Sequence, residues 1–307
     1  MKHIAQLKSI KKASGWSQEQ LAYNLEVSFP TLNSWINDRS QPRKKALLNI
    51  EKLYLDTIGV DSVSVDALNY AKLAALKLTS KPKLIADNKQ LLDTLTLYLT
   101  YHTNTIEGST MTLADVNDVI FDHKVLSNRT AIEQAEARNH QATFYWLVDQ
   151  VIGKGKKFEI NADLILGIHL RLMNGIISDA GQYRRHSVRI MGSHVTLANY
   201  AKIPELIAKL IADINASPDD IIGTMAQTHA RFEQIHPFSD GNGRAGRLIL
   251  LAQALRAGWV PPLVIKERKY AYYKYLELAQ TKNDYMPLEL FISESMMFTD
   301  KLLKNKY

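Results

Sequence analysis

Residues 236–247 hold the densest set of chemically capable side chains in the sequence. They read His-Pro-Phe-Ser-Asp-Gly-Asn-Gly-Arg-Ala-Gly-Arg. A proline disfavours helix at the residue before it, so we expect His236 at a helix exit, where its ring can face a cleft. A neutral imidazole accepts a proton at cellular pH, which makes His236 a candidate general base toward a hydroxyl. A structural histidine with satisfied hydrogen bonds is the alternative interpretation.

The rest of this stretch has the residue types that hold a phosphate. Gly241 and Gly243 let backbone N–H groups turn inward before a helix, whose N-terminus favours anions. Arg244 and Arg247 lie three residues apart and can face one ligand, and their planar guanidinium groups suit phosphate oxygens. Asp240 is the only carboxylate of the stretch, and beside phosphates we expect it to hold Mg²⁺. The combination predicts a site that holds a polyphosphate while a hydroxyl attacks it.

Apolar residues recur with helical spacing along almost the whole chain, which predicts a mainly all-α fold. Residues 1–56 are expected to form a small unit of four short helices, followed by a joint near 57–65 and a larger domain over 57–307. We expect the helices of the larger domain at 67–78, 85–102, 112–122, 130–152, 160–174, 203–215, 219–234, 243–257, 267–281 and 285–303. Two β-prone pieces, 187–191 and 193–197, flank Gly192 and predict one small hairpin.

Composition narrows the class of protein. The chain has 307 residues, of which 46% are hydrophobic, enough for a large domain with a smaller one. It has no cysteine, which excludes disulfides, thiolate nucleophiles and cysteine-ligated zinc. No apolar run reaches about 18 residues and no signal peptide is evident, so we expect a cytoplasmic protein without a membrane partner. The net charge of +7 is uneven, because residues 1–55 hold nine Lys and Arg against four Asp and Glu.

The ordered stretch 236–247 resembles the signature of the Fic (Fic/Doc) family, His-x-Phe-x-Asp/Glu-Gly-Asn-Gly-Arg-x-x-Arg, at every defined position. The resemblance extends over about 103–291 and includes Ala-Gly-Gln-Tyr-Arg at 180–184. It implies a helical bundle with a hairpin flap that transfers AMP from ATP to a Ser, Thr or Tyr hydroxyl of a target protein. In these roles the resemblance implies His236 as base, Asp240 as Mg²⁺ ligand, and a group of phosphate-binding residues. That group is Gly241, Asn242, Gly243, Arg244 and Arg247.

The resemblance also implies surfaces for the two substrates. The flap that would dock the target protein contains Val188, Ile190 and Val195, where an exposed strand could pair with an extended peptide. An ordinary surface hairpin is the alternative. Tyr272 and Tyr273 lie in a pattern similar to the helix on the adenine side of the family's site, although aromatic residues at helical spacing also occur in cores.

A second motif resembles the inhibitory motif of the same family, Ser/Thr-x-x-x-Glu-Gly/Asn. It reads Thr-Asn-Thr-Ile-Glu-Gly from Thr103 to Gly108, at the end of an implied inhibitory helix near 90–108. A carboxylate at Glu107 can pair with Arg247 and take the place of the γ-phosphate. The implied protein is therefore self-inhibited within one chain.

The basic N-terminal unit resembles a phage-repressor-type helix-turn-helix. This resemblance implies DNA contacts, and paired half-sites would make a homodimer plausible. The implied contacts are Gln18, Ser28, Phe29, Thr31, Ser34, Arg39 and Arg43. The turn departs from the usual pattern, since Glu26 stands where glycine is common, and this leaves a protein-docking module as the alternative.

The sequence thus predicts a self-inhibited protein adenylyltransferase with a DNA-binding unit. Two alternatives stay open: a transcriptional regulator that uses the site to sense a nucleotide, and an enzyme that removes AMP from a modified target. His236 favours an enzyme over a sensor, because a sensor has no use for a general base.

Overall fold

The computed structural model describes residues 2–60, 62–79, 82–190, 195–216 and 219–304. Fifteen α-helices account for most of this part of the chain, which confirms the mainly all-α prediction. They are α1 (Lys2–Ser14), α2 (Gln18–Asn24), α3 (Phe29–Ile36), α4 (Lys44–Ile58), α5 (Val65–Leu76), α6 (Pro82–Asp87), α7 (Lys89–Ile106), α8 (Leu113–Ile120), α9 (Ala131–Lys154), α10 (Ala162–Leu172), α11 (Ile203–Asn215), α12 (Ile221–Ile235), α13 (Asn242–Ala257), α14 (Lys269–Lys282) and α15 (Met286–Lys304).

The chain divides into two compact units. One comprises Met1–Ser62 together with Glu267–Tyr275, and the other comprises Val63–Lys266 with Leu276–Tyr307. The predicted boundary between residues 56 and 57 stays a prediction. The inclusion of Glu267–Tyr275 in the first unit was not expected from the sequence, because a contact between distant segments leaves no local pattern.

In the first unit, α1 packs against α3 and α4, and α2 packs against α3. Leu7, Ile10 and Leu32 form part of its buried core. Ser17 begins α2 with a capping box, since its hydroxyl accepts from the Gln20 N–H while the Gln20 side chain accepts from the Ser17 N–H. This local chemistry produces the short helices that the sequence predicts.

Two positive-φ positions shape this unit. Glu26 takes the left-handed conformation, with φ 55°, in the turn before α3. Gly59, at φ 79°, ends α4, and a Cβ there would lie 2.6 Å from the Tyr275 hydroxyl oxygen. That hydroxyl accepts a 2.7 Å hydrogen bond from the Val60 N–H, so Gly59 allows the segment at Tyr275 to approach closely.

The second unit is built around α13. This helix contacts α7, α9, α10 and α12, and every residue of 244–255 is buried. Phe144, Phe232 and Phe238 are among the largest fully buried side chains of the unit. These contacts fix the position of α13. Its N-terminus therefore has a defined place, directly after the loop at 236–241.

Two predictions for this unit need correction. The single helix expected at 85–102 is two helices, because the Asn88 side chain accepts a 3.1 Å bond from the Leu91 N–H and caps the start of α7. The hairpin expected at 187–197 is not formed by the described residues, since 187–190 and 195–197 are irregular backbone without strands. Its predicted turn at Gly192 lies outside the described residues. Irregular backbone is held there by hydrogen bonds from an arginine side chain, not by a strand ladder.

Candidate nucleotide site

His236 lies at the C-terminal end of α12 in the left-handed conformation, with φ 49° and ψ 61°. Its Nδ1 is 3.2 Å from the carbonyl oxygen of Glu233. A carbonyl only accepts, so Nδ1 carries the proton and Nε2 of the neutral ring has a free lone pair. Burial lowers the pKa of His236, a nearby Arg184 charge acts in the same direction, and the bond to Glu233 opposes them. The ring is therefore neutral near pH 7 and can accept a proton at Nε2.

The loop between His236 and α13 is fixed by the side chain of Asn242. Its Oδ1 accepts from the Phe238 N–H at 2.9 Å, and its Nδ2 donates to the Phe238 carbonyl at 2.9 Å. The side chain is buried, so both of its polar ends are used within the loop. The predicted contact of Asn242 with phosphate therefore stays a prediction for its backbone N–H, because its side-chain amide is engaged within the loop.

The same loop is also held by His169 of α10, a residue that the sequence did not indicate. Its ring stacks on Phe238 with centroids 3.6 Å apart and an interplanar angle of 1°. Nδ1 accepts from the Gly181 N–H at 2.9 Å, so Nε2 must donate to the Asp240 carbonyl at 2.9 Å. Burial lowers its pKa to about 4, which keeps this hydrogen-bonding tautomer neutral.

Gly241 and Gly243 bring the backbone close to other groups. Gly241 has φ 76°, and a Cβ there would lie 2.7 Å from the Met173 sulfur. A Cβ on Gly243 would collide with Oε1 of Glu107 and would lie 3.1 Å from Nη1 of Arg247. The first turn of α13 is therefore open to a small anionic group, and a carboxylate lies against it.

That carboxylate belongs to the predicted inhibitory motif. Glu107 ends α7 and forms an ion pair with Nη2 of Arg247. One turn earlier on α7, the Thr103 hydroxyl accepts from Nε of Arg247 at 2.8 Å. The Arg247 side chain is only 8% exposed, whereas that of Glu107 is 31% exposed. The structure thus brings together Thr103, Glu107 and Arg247, and fills an anion position with a side chain of the same chain.

Arg244 has a different partner, which the sequence did not reveal. Its Nη1 lies 2.6 Å from Oε1 of Glu136 on α9, and both side chains are largely buried. Its Nη2 lies 3.8 Å from Oδ1 of Asp240, whose side chain is 62% exposed. Glu136 therefore orients the guanidinium from behind while Asp240 faces solvent in front of it.

A further buried carboxyl, Glu233 of α12, lies beside this cluster. A Cβ on Gly246 would collide with its Oε1, so the carboxyl packs directly on α13. Burial raises the pKa of Glu233 to about 7; the positive charge of Arg247 opposes the shift and the negative charge of Glu107 adds to it. The only sequence signal for it is an acidic residue on a helix whose other buried residues are mostly uncharged.

Comparison with known proteins identifies this arrangement. Residues 159–254, which include the whole loop and α13, match the model of the Fic/DOC family. The chain contains a Fic domain. Residues 7–54 of the first unit match a helix-turn-helix family model.

Curated relatives of the Fic domain include Protein adenylyltransferase Fic of Drosophila ananassae. It is 28% identical over 197 residues, which are 63% of this chain and 39% of the relative. The protein of the same name from Culex quinquefasciatus is 27% identical over 198 residues, with 63% of this chain and 39% of the relative covered. The chain thus spans about two fifths of the length of these relatives.

Solved structures of low identity share the fold. Fic-1 from C. elegans has a TM-score of 0.67 at 19% identity, covering 94% of this chain and 84% of that one. A Fic domain containing signaling protein from Bacteroides thetaiotaomicron has a TM-score of 0.62 at 21% identity, covering 78% and 97%. Among the described helices, none is both long and apolar enough to cross a bilayer.

The predicted flap residues lie in irregular backbone. Val188 and Ile190 precede, and Val195 follows, a segment outside the described part of the chain. Tyr272 and Tyr273 belong to the segment of α14 that clusters with the first unit. Tyr272 is buried at 1% exposure and Tyr273 is 39% exposed, so only Tyr273 presents a ring to solvent.

The predicted DNA contacts on α2 and at the start of α3 are partly bonded to one another. Ser28 caps α3, and its Oγ lies 2.8 Å from the Thr31 hydroxyl. The Gln18 side chain accepts a 3.1 Å bond from Asn33. These contacts orient the polar face of α3 without removing it from solvent.

The remaining predicted contacts lie at the surface. Phe29 is 40% exposed, and Arg39 and Arg43 are both exposed. Ser34 shares a 2.7 Å hydrogen bond with Ser40. The end of α3 and the start of α4 therefore present positive charge.

Proposed function

We propose that the Fic domain transfers AMP from ATP to a Ser, Thr or Tyr hydroxyl of a target protein. The observation that carries this proposal is the protonation pattern of His236. Its Nδ1–H donates to the Glu233 carbonyl, which leaves Nε2 as the acceptor, and its pKa is lowered by burial. A neutral base beside the open N-terminus of α13 suits removal of a hydroxyl proton next to bound phosphates.

The reaction uses groups that the loop and α13 already hold in place. Nε2 of His236 takes the hydroxyl proton, the hydroxyl oxygen bonds to the α-phosphorus, and the bond from that phosphorus to the β-bridging oxygen breaks. Pyrophosphate leaves. The backbone N–H groups of Asn242 and Gly243 and the guanidinium of Arg244 stabilise charge on the phosphate oxygens, as expected for transfer at phosphorus. The Gly241 N–H donates instead to the Asp240 carboxylate.

Asp240 is the proposed ligand of Mg²⁺. Its Oδ1 accepts from the Gly241 N–H at 2.6 Å, and the side chain is exposed in front of α13, so oxygen lone pairs remain for a cation. Among the described residues no cluster of three or more His, Cys, Asp or Glu could hold a metal ion. A single carboxylate suits Mg²⁺, which proteins often hold with one carboxylate plus substrate phosphates. Bound there, Mg²⁺ would neutralise phosphate charge.

We further propose that Glu107 inhibits the enzyme. Its carboxylate pairs with Arg247 and packs on Gly243, so it competes with a phosphate of ATP for the same guanidinium and the same helix N-terminus. The contact is largely buried on the arginine side, which strengthens it relative to a surface pair. ATP can bind productively only when this carboxylate is displaced.

The test is transfer of label from α-³²P-ATP, with Mg²⁺, to proteins of a cell lysate. We expect Glu107→Gly to increase labelling about 10- to 100-fold over the native chain, since one charge-assisted contact is worth about 1.5–3 kcal/mol. The double variant Glu107→Gly, His236→Ala should lose the label. γ-³²P-ATP is the matched control: Glu107→Gly should add no label from it beyond the label that the kinases of the lysate produce without the added protein. ATP binding without α-label in any variant would overturn the transfer proposal and favour a nucleotide sensor.

For the first unit, we infer binding to DNA. The inference is supported by the helix-turn-helix match over residues 7–54 and by the exposed Arg39 and Arg43 beside the polar face of α3. The excess of positive charge in residues 1–55 acts in the same direction.

A further inference from the structure

We propose that Arg184 is a positioning residue for the transfer reaction, because it fixes the backbone that carries the proton-accepting ring of His236. This inference rests on the proposed function of the Fic domain. Arg184 is 2% exposed, and Nε of its guanidinium donates to the carbonyl of His236 at 2.7 Å. Its backbone N–H donates to the carbonyl of Pro237 at 2.9 Å. One residue therefore holds two successive carbonyls, that of the base and that of the residue after it.

The other nitrogens of the guanidinium bind three more carbonyls. Nη1 donates to His186 at 2.6 Å, and Nη2 donates to Ala198 at 2.7 Å and to Ile235 at 3.3 Å. Arg184 thus joins the C-terminal end of α12 to backbone from two other places in the chain. Guanidinium is the one side-chain group with enough donors, in a fixed plane, to do this.

This arrangement has a specific consequence for His236. A residue with a Cβ avoids the left-handed conformation unless its surroundings impose it, and His236 has φ 49° and ψ 61°. The hydrogen bond from Nδ1 to the Glu233 carbonyl depends on this backbone geometry, because it determines where the ring lies. Weakening the contacts of Arg184 should therefore release the ring and mix its two tautomers.

Loss of the Arg184 contacts should slow the chemical step without changing the affinity for ATP. Within the described part of the chain, the hydrogen bonds of Arg184 reach the carbonyls at 186, 198, 235, 236 and 237, and none of these residues belongs to α13. Gly243 and Arg247, which form the anion position, belong to α13. A purely structural role, in contrast, would lower stability, ATP affinity and turnover together.

The experiment compares Arg184→Lys with Arg185→Lys, both in the Glu107→Gly background. Arg185 is the adjacent, exposed arginine and serves as the matched control. We expect Arg184→Lys to lower the kcat of labelling about 10- to 100-fold, since small misplacement of a catalytic group has effects of this size. The Kd for ATP should change less than about twofold in both variants. Unchanged kcat in Arg184→Lys would overturn the proposal, as would loss of ATP affinity and of kcat in equal proportion.

Nitrogen NMR of ¹⁵N-histidine-labelled protein provides a readout that needs no turnover. The native chain and Arg185→Lys should show His236 with its proton on Nδ1, and Arg184→Lys should show a mixture of tautomers. Assignment uses His236→Gln, and the thermal unfolding midpoint verifies that each variant is folded. If Arg184→Lys does not fold, Arg184→Gln provides the same comparison. An unchanged tautomer in a folded variant contradicts the proposal even if no target protein is ever labelled, so its failure is distinct from failure of the proposed function.

Discussion

At the residue scale, the identity of a side chain and its availability to a ligand are separate facts. The sequence predicts His236 as a base, and the geometry is consistent with this because Nδ1 donates to the Glu233 carbonyl and leaves Nε2 as the acceptor. Asn242 has an equally recognisable identity, yet both ends of its amide bind the backbone of Phe238. We conclude that the asparagine of this loop acts by holding the loop's shape.

The lowered pKa of His236 predicts how labelling depends on pH. The base must be unprotonated, and burial lowers its pKa below the ordinary value of 6.5. The rate of labelling by Glu107→Gly should therefore stay constant as pH falls to about 6.5 and decline only below it. The measurement is kcat at saturating ATP between pH 5 and about 8.

The control for this profile is protein stability across the same range, from unfolding midpoints at each pH. A fall in rate without a fall in folded protein assigns the decline to the base. If the labelling rate fell to half its maximum at a pH above about 7, the prediction would be contradicted, because a histidine with that pKa would have a stabilised charged form.

The sequence indicated the site residues that belong to recognisable motifs, at 236–247 and at Thr103 and Glu107, and missed the partners to which no motif assigned a role. The order of residues in 236–247 specifies a loop and a helix start, so the members of that loop could be named in advance. Glu136, His169 and Arg184 reach the loop from other elements, and an isolated charged or aromatic residue carries no pattern that indicates its partner. The tertiary fold alone brings them to the site.

At the element scale, the site forms where the C-terminus of α7 contacts the N-terminal part of α13. Thr103 and Glu107 are four residues apart, so α7 presents both to Arg247 on one face. Helix α13 contributes its N-terminal anion position because a left-handed glycine, Gly241, begins it. The element boundaries of both helices thus determine which groups meet.

Gly241→Ala should therefore destabilise the Fic domain more than a glycine substitution in open space. The change combines left-handed strain at φ 76° with a Cβ placed 2.7 Å from the Met173 sulfur, at a cost of about 2–4 kcal/mol. Gly175→Ala is the matched control, since Gly175 has φ 71° and no atom within 4 Å of the added Cβ. It should cost only about 1–2 kcal/mol. Urea unfolding of both variants measures the difference, and equal losses would contradict the packing argument.

At the scale of the whole molecule, most of the net positive charge belongs to the first 55 residues of the sequence. Residues 1–55 hold nine of the 38 Lys and Arg of the chain but only four of its 31 Asp and Glu. Charge of this kind favours association with a polyanion without specifying its sequence. The exposed residues at the end of α3 and the start of α4 are where we expect that contact.

The salt dependence of DNA binding tests this expectation. We expect the full chain to bind a mixed-sequence duplex with an affinity that falls linearly in log–log form as salt increases, because each phosphate contact releases a counterion. Arg43→Ala should reduce the magnitude of the slope by about one, since it removes about one contact. Lys8→Ala, an exposed residue of α1 outside the predicted contacts, makes the same change in net charge. If both variants reduced the slope equally, binding would depend on net charge and not on the helix-turn-helix face. If the native chain did not bind DNA at all, the unit would be a protein-docking module.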